Sequence, residues 1–375
     1  MSEKLYSTLS QKLKSREDNA LLRQLSTSTD LIDFCSNDYL GLSINKNLIA
    51  DVQKNAVAHQ GMKLGSGGSR LLAGNSTLAE ELELFLAETH QSEAALLCNS
   101  GYAANLSLFS SIPQKGDTII YDELSHACIK DGARLSFANR LSFKHNDLDD
   151  LKKKLQRATG TVFIAVESVY SMDGDQAPLQ ALVALAQEYQ ANIIVDEAHS
   201  TGLWGEKGAG LCVELGIQDH IFARIHTFGK GIGAHGACIA CNEVVKNYLI
   251  NFARPFIFTT SLPDHNLITI KQAYTYIASH EVLWKKLKEK IKLFKQEIKA
   301  DTIESHSPIQ AILFAGNENA RRVAASIRQQ GFDVRPILSP TVKKGGERIR
   351  ICLHTFNTDE QIKKLASLLN EAMVH

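Results

Sequence analysis

Asp196 and His199 are the first residues whose types and positions could carry chemistry. They follow the apolar run 193–195, which predicts a buried strand, in the segment Asp196-Glu-Ala-His199. A carboxylate in such a low-dielectric position stays ionised only when a cation or a strong donor faces it. The protonated nitrogen of a pyridinium ring would be such a partner. The alternative is an acid that caps the following helix, as Asp commonly does.

Lys230 stands between two glycines in the segment Thr227-Phe-Gly-Lys-Gly231, behind a second predicted strand at 221–226. Glycine lets the backbone approach a ligand closely. A desolvated lysine can lose its proton and act as a nucleophile. The alternative is an exposed lysine in a turn. Both segments follow predicted strands, and ligands bind at that edge of an open parallel sheet.

Gly101 and Tyr102 form a third cluster, at a predicted turn from strand to helix in the segment Cys98-Asn-Ser-Gly-Tyr102. Small residues at such a turn offer backbone N–H groups to a phosphate. The alternative is an ordinary connection between a strand and a helix.

Two further motifs carry less weight. The segment Gly231-Ile-Gly-Ala-His-Gly236 has the letters of a dinucleotide-binding loop, and it leaves a nicotinamide oxidoreductase as a competing hypothesis. However, the pattern predicts that a strand follows the loop, where that motif requires a helix. Cys238 and Cys241 have no second ligand pair and face opposite sides of that strand, so we predict no metal site.

The elements that must position these clusters alternate between strand and helix. Short runs that are apolar on both faces occur at 94–98, 118–121, 161–166, 193–195 and 221–226, with a further strand at 236–241. Helical segments such as 179–189 separate most of them. This alternation indicates an α/β chain with a mainly parallel sheet. Residues 262–300 predict a long helical connection, and a small α+β unit follows it.

Composition excludes several classes of protein. The 375 residues carry 41 basic and 41 acidic side chains, so no global positive charge favours binding to nucleic acid or an anionic membrane. An odd number of cysteines, seven, is not a disulfide framework. The first residues lack the apolar core of a signal peptide, and no apolar run approaches the ~20 residues of a membrane span. We therefore expect a reduced, cytoplasmic protein.

Taken together and in order, the motifs resemble the α-oxoamine synthases, a family of fold-type-I enzymes that use pyridoxal 5′-phosphate (PLP). The resemblance covers nearly the whole chain and rests on segments 36–42 (SNDYLGL), 65–75 (GSGGSRLLAGN), 122–127 (DELSHA), 167–175 (ESVYSMDGD), 196–199 (DEAH), 227–231 (TFGKG), 340–342 (PTV) and 347–350 (ERIR). It implies an α/β fold with a large, mainly parallel seven-stranded sheet covered by helices on both faces. The implied division is an N-terminal arm at 1–40, a large PLP-binding domain at 41–262, and a connecting helix with a small C-terminal α+β domain at 263–375.

The resemblance also implies a role for each site residue. Lys230 would form the covalent link to PLP, Asp196 would pair with its ring nitrogen, and His126 would stack on its ring. His199 and Ser171 would lie near the ring hydroxyl. The phosphate would be held by Gly101, Tyr102 and Thr227, and by Thr259 and Thr260 of a neighbouring subunit. Arg350 would bind the amino-acid carboxylate, and Asn37, Glu167 and Arg23 would lie close to the substrates.

Within that family, segments 196–202, 227–231 and 252–260 are most similar to the members that make a biotin precursor. Those members condense L-alanine with a pimeloyl thioester, carried on CoA or on an acyl carrier protein, and release CO2. The alternatives are a glycine C-acetyltransferase or another α-oxoamine synthase, and a homologue that only binds. The family resemblance further implies a homodimer with shared sites.

Overall fold

The computed structural model describes residues 3–19, 21–23, 25, 27, 30–300 and 302–373. The strands in chain order are β1 (Ile32–Asp33), β2 (Ala94–Cys98), β3 (Thr118–Asp122), β4 (Asn139–Phe143), β5 (Val162–Glu167), β6 (Asn192–Asp196), β7 (Ala223–Thr227), β8 (Ala237–Cys241), β9 (Ile309–Leu313), β10 (Phe332–Asp333), β11 (Arg335–Ile337) and β12 (Arg348–Cys352).

The helices in chain order are α1 (Glu3–Asp18), α2 (Lys46–Ala58), α3 (Thr77–Thr89), α4 (Gly101–Ser111), α5 (Ala127–Leu135), α6 (Leu148–Leu155), α7 (Leu179–Glu188), α8 (Leu211–Glu214), α9 (Glu243–Phe252), α10 (Arg254–Ile257), α11 (Asp264–Ser279), α12 (Val282–Glu297), α13 (Asn317–Gln329) and α14 (Asp359–Met373). Short 3-10 turns lie at Leu42–Ile44, Glu206–Gly208 and Gln218–His220.

The central sheet has seven strands in the order β2-β8-β7-β6-β5-β3-β4. Only β8 runs antiparallel to its neighbours, so the predicted mainly parallel α/β sheet is confirmed. Six of its strands were predicted from their apolar runs. The seventh, β4, was missed because it is an edge strand whose sequence, Asn-Arg-Leu-Ser-Phe, leaves most side chains exposed.

Helices cover both faces of this sheet, which is why its strands are apolar on both sides. Ile120 and Val195 pack into one buried cluster, whereas their chain neighbours Ile119 and Ile194 pack into the other. Neighbouring residues therefore alternate between the two cores, as the pleat requires.

The C-terminal part carries a second, antiparallel sheet in the order β11-β12-β9. The N-terminal segment joins this part, because β1 pairs in parallel with β10 through Ile32 and Phe332. The predicted single helical connection over 262–300 is instead two helices, α11 and α12. Between them, the non-helical backbone of His280 ends the first helix.

The leucines on the apolar side of α1 are exposed in the part of the chain that the structure describes. Leu5, Leu9 and Leu13 recur every four residues, as the sequence pattern predicts, and each is about half exposed, at 48–57%. Among the described helices, none is long and apolar enough to cross a membrane.

Candidate active site

Three neighbouring strands of the central sheet end in polar residues at the same edge. Glu167 closes β5 and lies directly opposite Asp196, which closes β6. Thr227 closes β7, and Lys230 follows it three residues later. Because β5, β6 and β7 are parallel, their carboxyl ends meet, and the separate sequence segments become one site.

Asp196 is buried at this edge, and its carboxylate accepts two hydrogen bonds. The Nδ2 of Asn105, on α4, donates to Oδ2 at 2.7 Å, and the backbone N–H of Ala198 donates to Oδ1 at 2.9 Å. The other polar atom of that amide, Asn105 Oδ1, is buried with no hydrogen-bond partner among the described residues. These two bonds fix the position of the Asp196 carboxylate at the floor of the site.

Lys230 and Arg350 are joined by a continuous set of hydrogen bonds. Lys230 Nζ lies 2.8 Å from His199 Nε2, and His199 Nδ1 lies 2.7 Å from the hydroxyl of Tyr39. That hydroxyl donates to Asn37 Oδ1 at 3.1 Å, which also accepts from Arg350 Nη2 at 2.8 Å. The predicted lysine, histidine, asparagine and arginine thus lie in one cluster, together with a tyrosine that was not singled out.

Burial changes the protonation behaviour of these groups. Burial lowers the pKa of Lys230, although Asp196 and Glu167 oppose the change with their negative charges. Burial also raises the pKa of Glu167, and the nearby charge of Asp196 adds to this. The pKa of His199 falls well below its usual value because of burial, with Lys230 and Arg350 contributing. The site therefore holds an uncharged imidazole next to an amine that releases its proton more readily than usual.

His126 lies at the exposed rim of the site and begins α5 as its N-cap. Its backbone N–H donates to Glu167 Oε1 at 2.6 Å, which fixes its position above the sheet edge. Its Nδ1 lies 2.9 Å from the thiol of Cys128 and accepts from the backbone N–H of that residue at 3.3 Å. Partial burial lowers the pKa of His126. His126 therefore presents a neutral ring at the rim of the site.

The first turn of α4 offers a cradle of backbone N–H groups that would suit an anion. Ser100 caps the helix by accepting from the N–H of Ala103. A Cβ on Gly101 would lie only 2.2 Å from the hydroxyl of Thr227, so only glycine fits here. The open N–H groups of a helix N-terminus favour a phosphate. Tyr102 lies beside this turn, is partly exposed, and donates its hydroxyl hydrogen to Asp131.

Thr259 and Thr260 approach the same turn from α10. Asn99 Nδ2 donates to Thr259 Oγ1 at 3.3 Å and to the carbonyl of Thr260 at 2.5 Å. Within one chain, these threonines therefore lie next to the residues that precede α4.

Arg350 connects the small sheet to the loop after β5. Its Nε donates to the carbonyl of Ser171 at 2.6 Å, and its Nη1 lies 3.0 Å from Cys352 Sγ. Two residues earlier on β12, Arg348 pairs with Asp173 of the same loop. Ser171 contacts Arg350 through its backbone carbonyl. No hydrogen bond of its hydroxyl is found among the described residues.

Arg23 is not brought to this cluster. It is exposed, and in the described part of the chain no hydrogen bond or ion pair joins it to a site residue. Conversely, sequence reasoning missed Tyr39, Asn105, Cys128 and Cys352. Tyr39 stands inside the motif SNDYLGL, and Cys128 stands two residues after His126, so their positions were a usable signal. Asn105 lies within an ordinary helical pattern that gave none.

The arrangement fits PLP on observations that are independent of any relative. The cradle at Gly101 suits a phosphate, Asp196 suits a cationic ring nitrogen, and Lys230 suits an aldehyde carbon. No group of three or more metal-ligating side chains occurs among the described residues.

Comparison with known proteins agrees with this chemistry. The family model described as aminotransferase class I and II matches residues 29–369. The chain is 40% identical to the 8-amino-7-oxononanoate synthase of Emericella nidulans, over 96% of this chain and 94% of that protein. It is 36% identical to the enzyme of the same name from Salmonella newport, over 91% of this chain and 89% of that protein.

Solved structures show the same fold. A serine palmitoyltransferase from S. paucimobilis, with a bound PLP–myriocin aldimine, superposes with a TM-score of 0.88 at 26% identity, covering 98% of this chain and 97% of that chain. An 8-amino-7-oxononanoate synthase from Francisella tularensis superposes with a TM-score of 0.79 at 27% identity, covering 92% and 98%. The chain therefore belongs to the aminotransferase class I and II family and, within it, to the family of the 8-amino-7-oxononanoate synthases.

Proposed function

We propose that this protein is a PLP-dependent acyltransferase that condenses L-alanine with a pimeloyl thioester. The products are 8-amino-7-oxononanoate, CO2 and the free thiol carrier, in biotin biosynthesis. The observation that carries the proposal is the cluster in which Lys230, His199 and Arg350 are linked beside the buried Asp196. Membership of the 8-amino-7-oxononanoate synthase family supports the choice of substrates.

The residues that would hold PLP follow from the chemistry of each part of the site. Gly101, Tyr102 and Thr227 would hold the phosphate, with Thr259 and Thr260 of the neighbouring subunit. Asp196 would face the ring nitrogen, and His126 would cover the ring. Lys230 would hold the aldehyde end, with His199 and Ser171 near the ring hydroxyl. When bound, PLP supplies an electron sink that stabilises negative charge on the amino-acid Cα.

The side chains of this protein then perform the remaining steps. Arg350 binds the alanine carboxylate with its planar guanidinium, and Asn37 fixes that guanidinium from one side. Lys230, whose pKa is lowered by burial, removes the proton from Cα as a general base. The lowered pKa matters because the amine must be uncharged to accept that proton near neutral pH.

The pimeloyl thioester would meet the amino acid at the open side of the cluster. Glu167 accepts a hydrogen bond from the backbone N–H of His126 and would lie close to the substrates. Arg23, whose side chain lies in solvent, would contact the acyl carrier.

The working form would be a cytoplasmic homodimer. Two segments that touch each other carry large exposed apolar side chains: Leu72 is 86% exposed and Phe258 is 71% exposed. Ser261 bonds Gly68 and Gly74, which holds those segments together next to Thr259. The exposed leucines of α1 belong to the proposed arm at 1–40, which would pack on the partner. Residues 41–262 would form the large domain, and residues 263–375 the connection and the small domain.

A product assay tests the activity directly. The purified enzyme with PLP should form 8-amino-7-oxononanoate from L-alanine and pimeloyl-CoA or pimeloyl-acyl carrier protein, detected by mass spectrometry. The matched reaction is glycine with acetyl-CoA. Turnover of that pair in preference to both alanine reactions would contradict the proposal and identify a glycine C-acetyltransferase.

A further inference from the structure

Tyr39 occupies the centre of the hydrogen-bonded link between Lys230 and Arg350. Its side chain is completely buried, and its hydroxyl contacts both His199 Nδ1 and Asn37 Oδ1. A phenol has one hydrogen to donate, so it can donate to only one of these two neighbours at a time. The direction of the other bonds therefore decides which proton positions are possible.

Arg350 sets that direction. A guanidinium only donates, so the atom of Asn37 that faces it must be the amide oxygen. An amide oxygen only accepts, so the hydroxyl of Tyr39 donates to it. The oxygen of Tyr39 is then left as an acceptor for His199 Nδ1, which must carry the imidazole proton. His199 Nε2 is consequently an unprotonated acceptor, and it faces Lys230 Nζ.

We propose that Tyr39 is a positioning residue that holds His199 in its Nδ1-protonated tautomer, so that Nε2 presents a lone pair to the ammonium group of Lys230. The proton position on His199 is thereby tied, through Tyr39 and Asn37, to the arginine that is proposed to bind the substrate carboxylate. The meaning of this link for catalysis rests on the proposed function, but the link itself does not.

Other charged groups act on the same two residues and would remain when Tyr39 is changed. Asp196 and Glu167 favour the charged lysine, while Arg350 disfavours it. The thiol of Cys128 also lies near the lysine, and His126 lies near His199. None of them contacts His199 Nδ1, so a change at the Tyr39 hydroxyl leaves the contacts of Asp196, Glu167, Cys128 and His126 in place. Arg350 also hydrogen-bonds Tyr39, and it keeps its bond to Asn37 when the hydroxyl is removed.

The direction in which Tyr39→Phe should change the pKa of Lys230 follows from the position of the proton on His199. Without the hydroxyl, a proton on His199 Nδ1 is buried with no acceptor, which is unfavourable. Moving that proton to Nε2 removes the acceptor that faces Lys230, so the ammonium loses a hydrogen bond. The pKa of Lys230 should therefore fall, by about one pH unit for the loss of one charge-assisted bond.

The test uses the full chain purified without cofactor. Competitive acetylation across a pH series, read by mass spectrometry on the peptide that contains Lys230, gives the midpoint of its titration. Tyr274→Phe is the matched control, because Tyr274 is also buried and its hydroxyl lies 2.9 Å from another buried imidazole nitrogen, His90 Nε2. We expect the midpoint to fall by about one pH unit in Tyr39→Phe and to stay unchanged in Tyr274→Phe.

An unchanged midpoint in Tyr39→Phe, or an equal change in both variants, would overturn the proposal. Nitrogen-15 spectra of histidine-labelled protein give a second reading, with His199→Gln assigning the signal. The wild type should show a protonated Nδ1 on His199, and an Nε2-protonated ring would also overturn the proposal. Neither measurement uses turnover, so a failed product assay and a failed tautomer test are separate results.

Discussion

Two buried clusters of this protein each pair a histidine with a tyrosine, and only one of them belongs to the site. In the first, His199 contacts Tyr39 and Lys230. In the second, His90 contacts Tyr274 through Nε2 and stacks on His226 with 3.5 Å between the ring centroids. Burial lowers the pKa of all three histidines.

The difference between the clusters is where their hydrogen bonds end. The second cluster closes on groups that do no chemistry: His90 Nδ1 contacts the carbonyl of Ala209, and His226 Nδ1 contacts the hydroxyl of Thr201. The first cluster ends at an amine and a guanidinium at the carboxyl edge of the sheet. Burial and a lowered pKa are therefore insufficient to identify a site, and so is a nearby charge, because the guanidinium of Arg224 donates to the carbonyl of His90. The first cluster is distinguished by side-chain hydrogen bonds that end at an amine and a guanidinium at the carboxyl edge of the sheet.

Removing the amine should have the largest effect on activity. In Lys230→Ala, we expect turnover to fall by about 10³-fold or more, because the proposed general base and the group that holds PLP are lost together. The midpoint of thermal unfolding should change little, since Lys230 belongs to neither buried apolar cluster. The measurement is the product assay combined with thermal melts.

His226→Ala is the comparison for that variant. It should keep most of its turnover per folded molecule, since its ring belongs to the closed cluster. Comparable losses of turnover in both variants would show that the two clusters do not differ in function as described.

The same His226→Ala change should have the largest effect on stability. It removes a completely buried ring, its stacking on His90 and its bond to Thr201. We expect the free energy of unfolding to fall by about 3 kcal/mol, as for other large-to-small changes in a core. Urea unfolding followed by circular dichroism measures it. A loss below about 1 kcal/mol would mean that the cluster relaxes around the gap.

His145 offers a third environment, in which a histidine is kept charged. Its Nδ1 lies 3.0 Å from Asp122 Oδ1, and its Nε2 lies 2.7 Å from Asp175 Oδ2. Burial alone would lower its pKa, but the two carboxylates outweigh burial and raise the pKa of His145 to about 9. The pKa of His145 is therefore higher in the folded protein than in the unfolded chain. Its contribution to the free energy of unfolding is complete below about pH 6.5 and is lost as the pH rises through 9.

We therefore expect wild-type protein to lose about 2 kcal/mol more of its free energy of unfolding between pH 6 and pH 10 than His145→Gln does. Urea unfolding at a series of pH values measures the difference. Parallel curves for the two proteins would show that His145 is not the titrating group. Asp175 closes the loop that begins at Ser171, so this pair also helps to hold the carbonyl that Arg350 contacts.

Much of this organisation could be predicted from the sequence because it depends on local patterns. The apolar runs predicted six strands, and the glycines around Lys230 and the acid after a buried strand marked the site. The edge strand β4 could not be predicted, because its pairing partner rather than its composition keeps it in the sheet. Tyr39 could be assigned a role only in the structure, since its partners His199 and Asn37 meet through tertiary packing.

The smallest expected effect concerns Cys128, which touches the ring of His126 at the rim of the site. Burial raises the pKa of its thiol, so at neutral pH it is a neutral donor to His126 Nδ1. We expect Cys128→Ala to lower kcat/KM about two- to threefold, as for one neutral hydrogen bond. Cys128→Ser keeps a donor and should stay close to wild type. Equal losses of kcat/KM in both variants would mean that the thiol acts by packing rather than by orienting the His126 ring. The contact of Cys128 with His126 would then be structural, like the contacts in the cluster of His90 and His226.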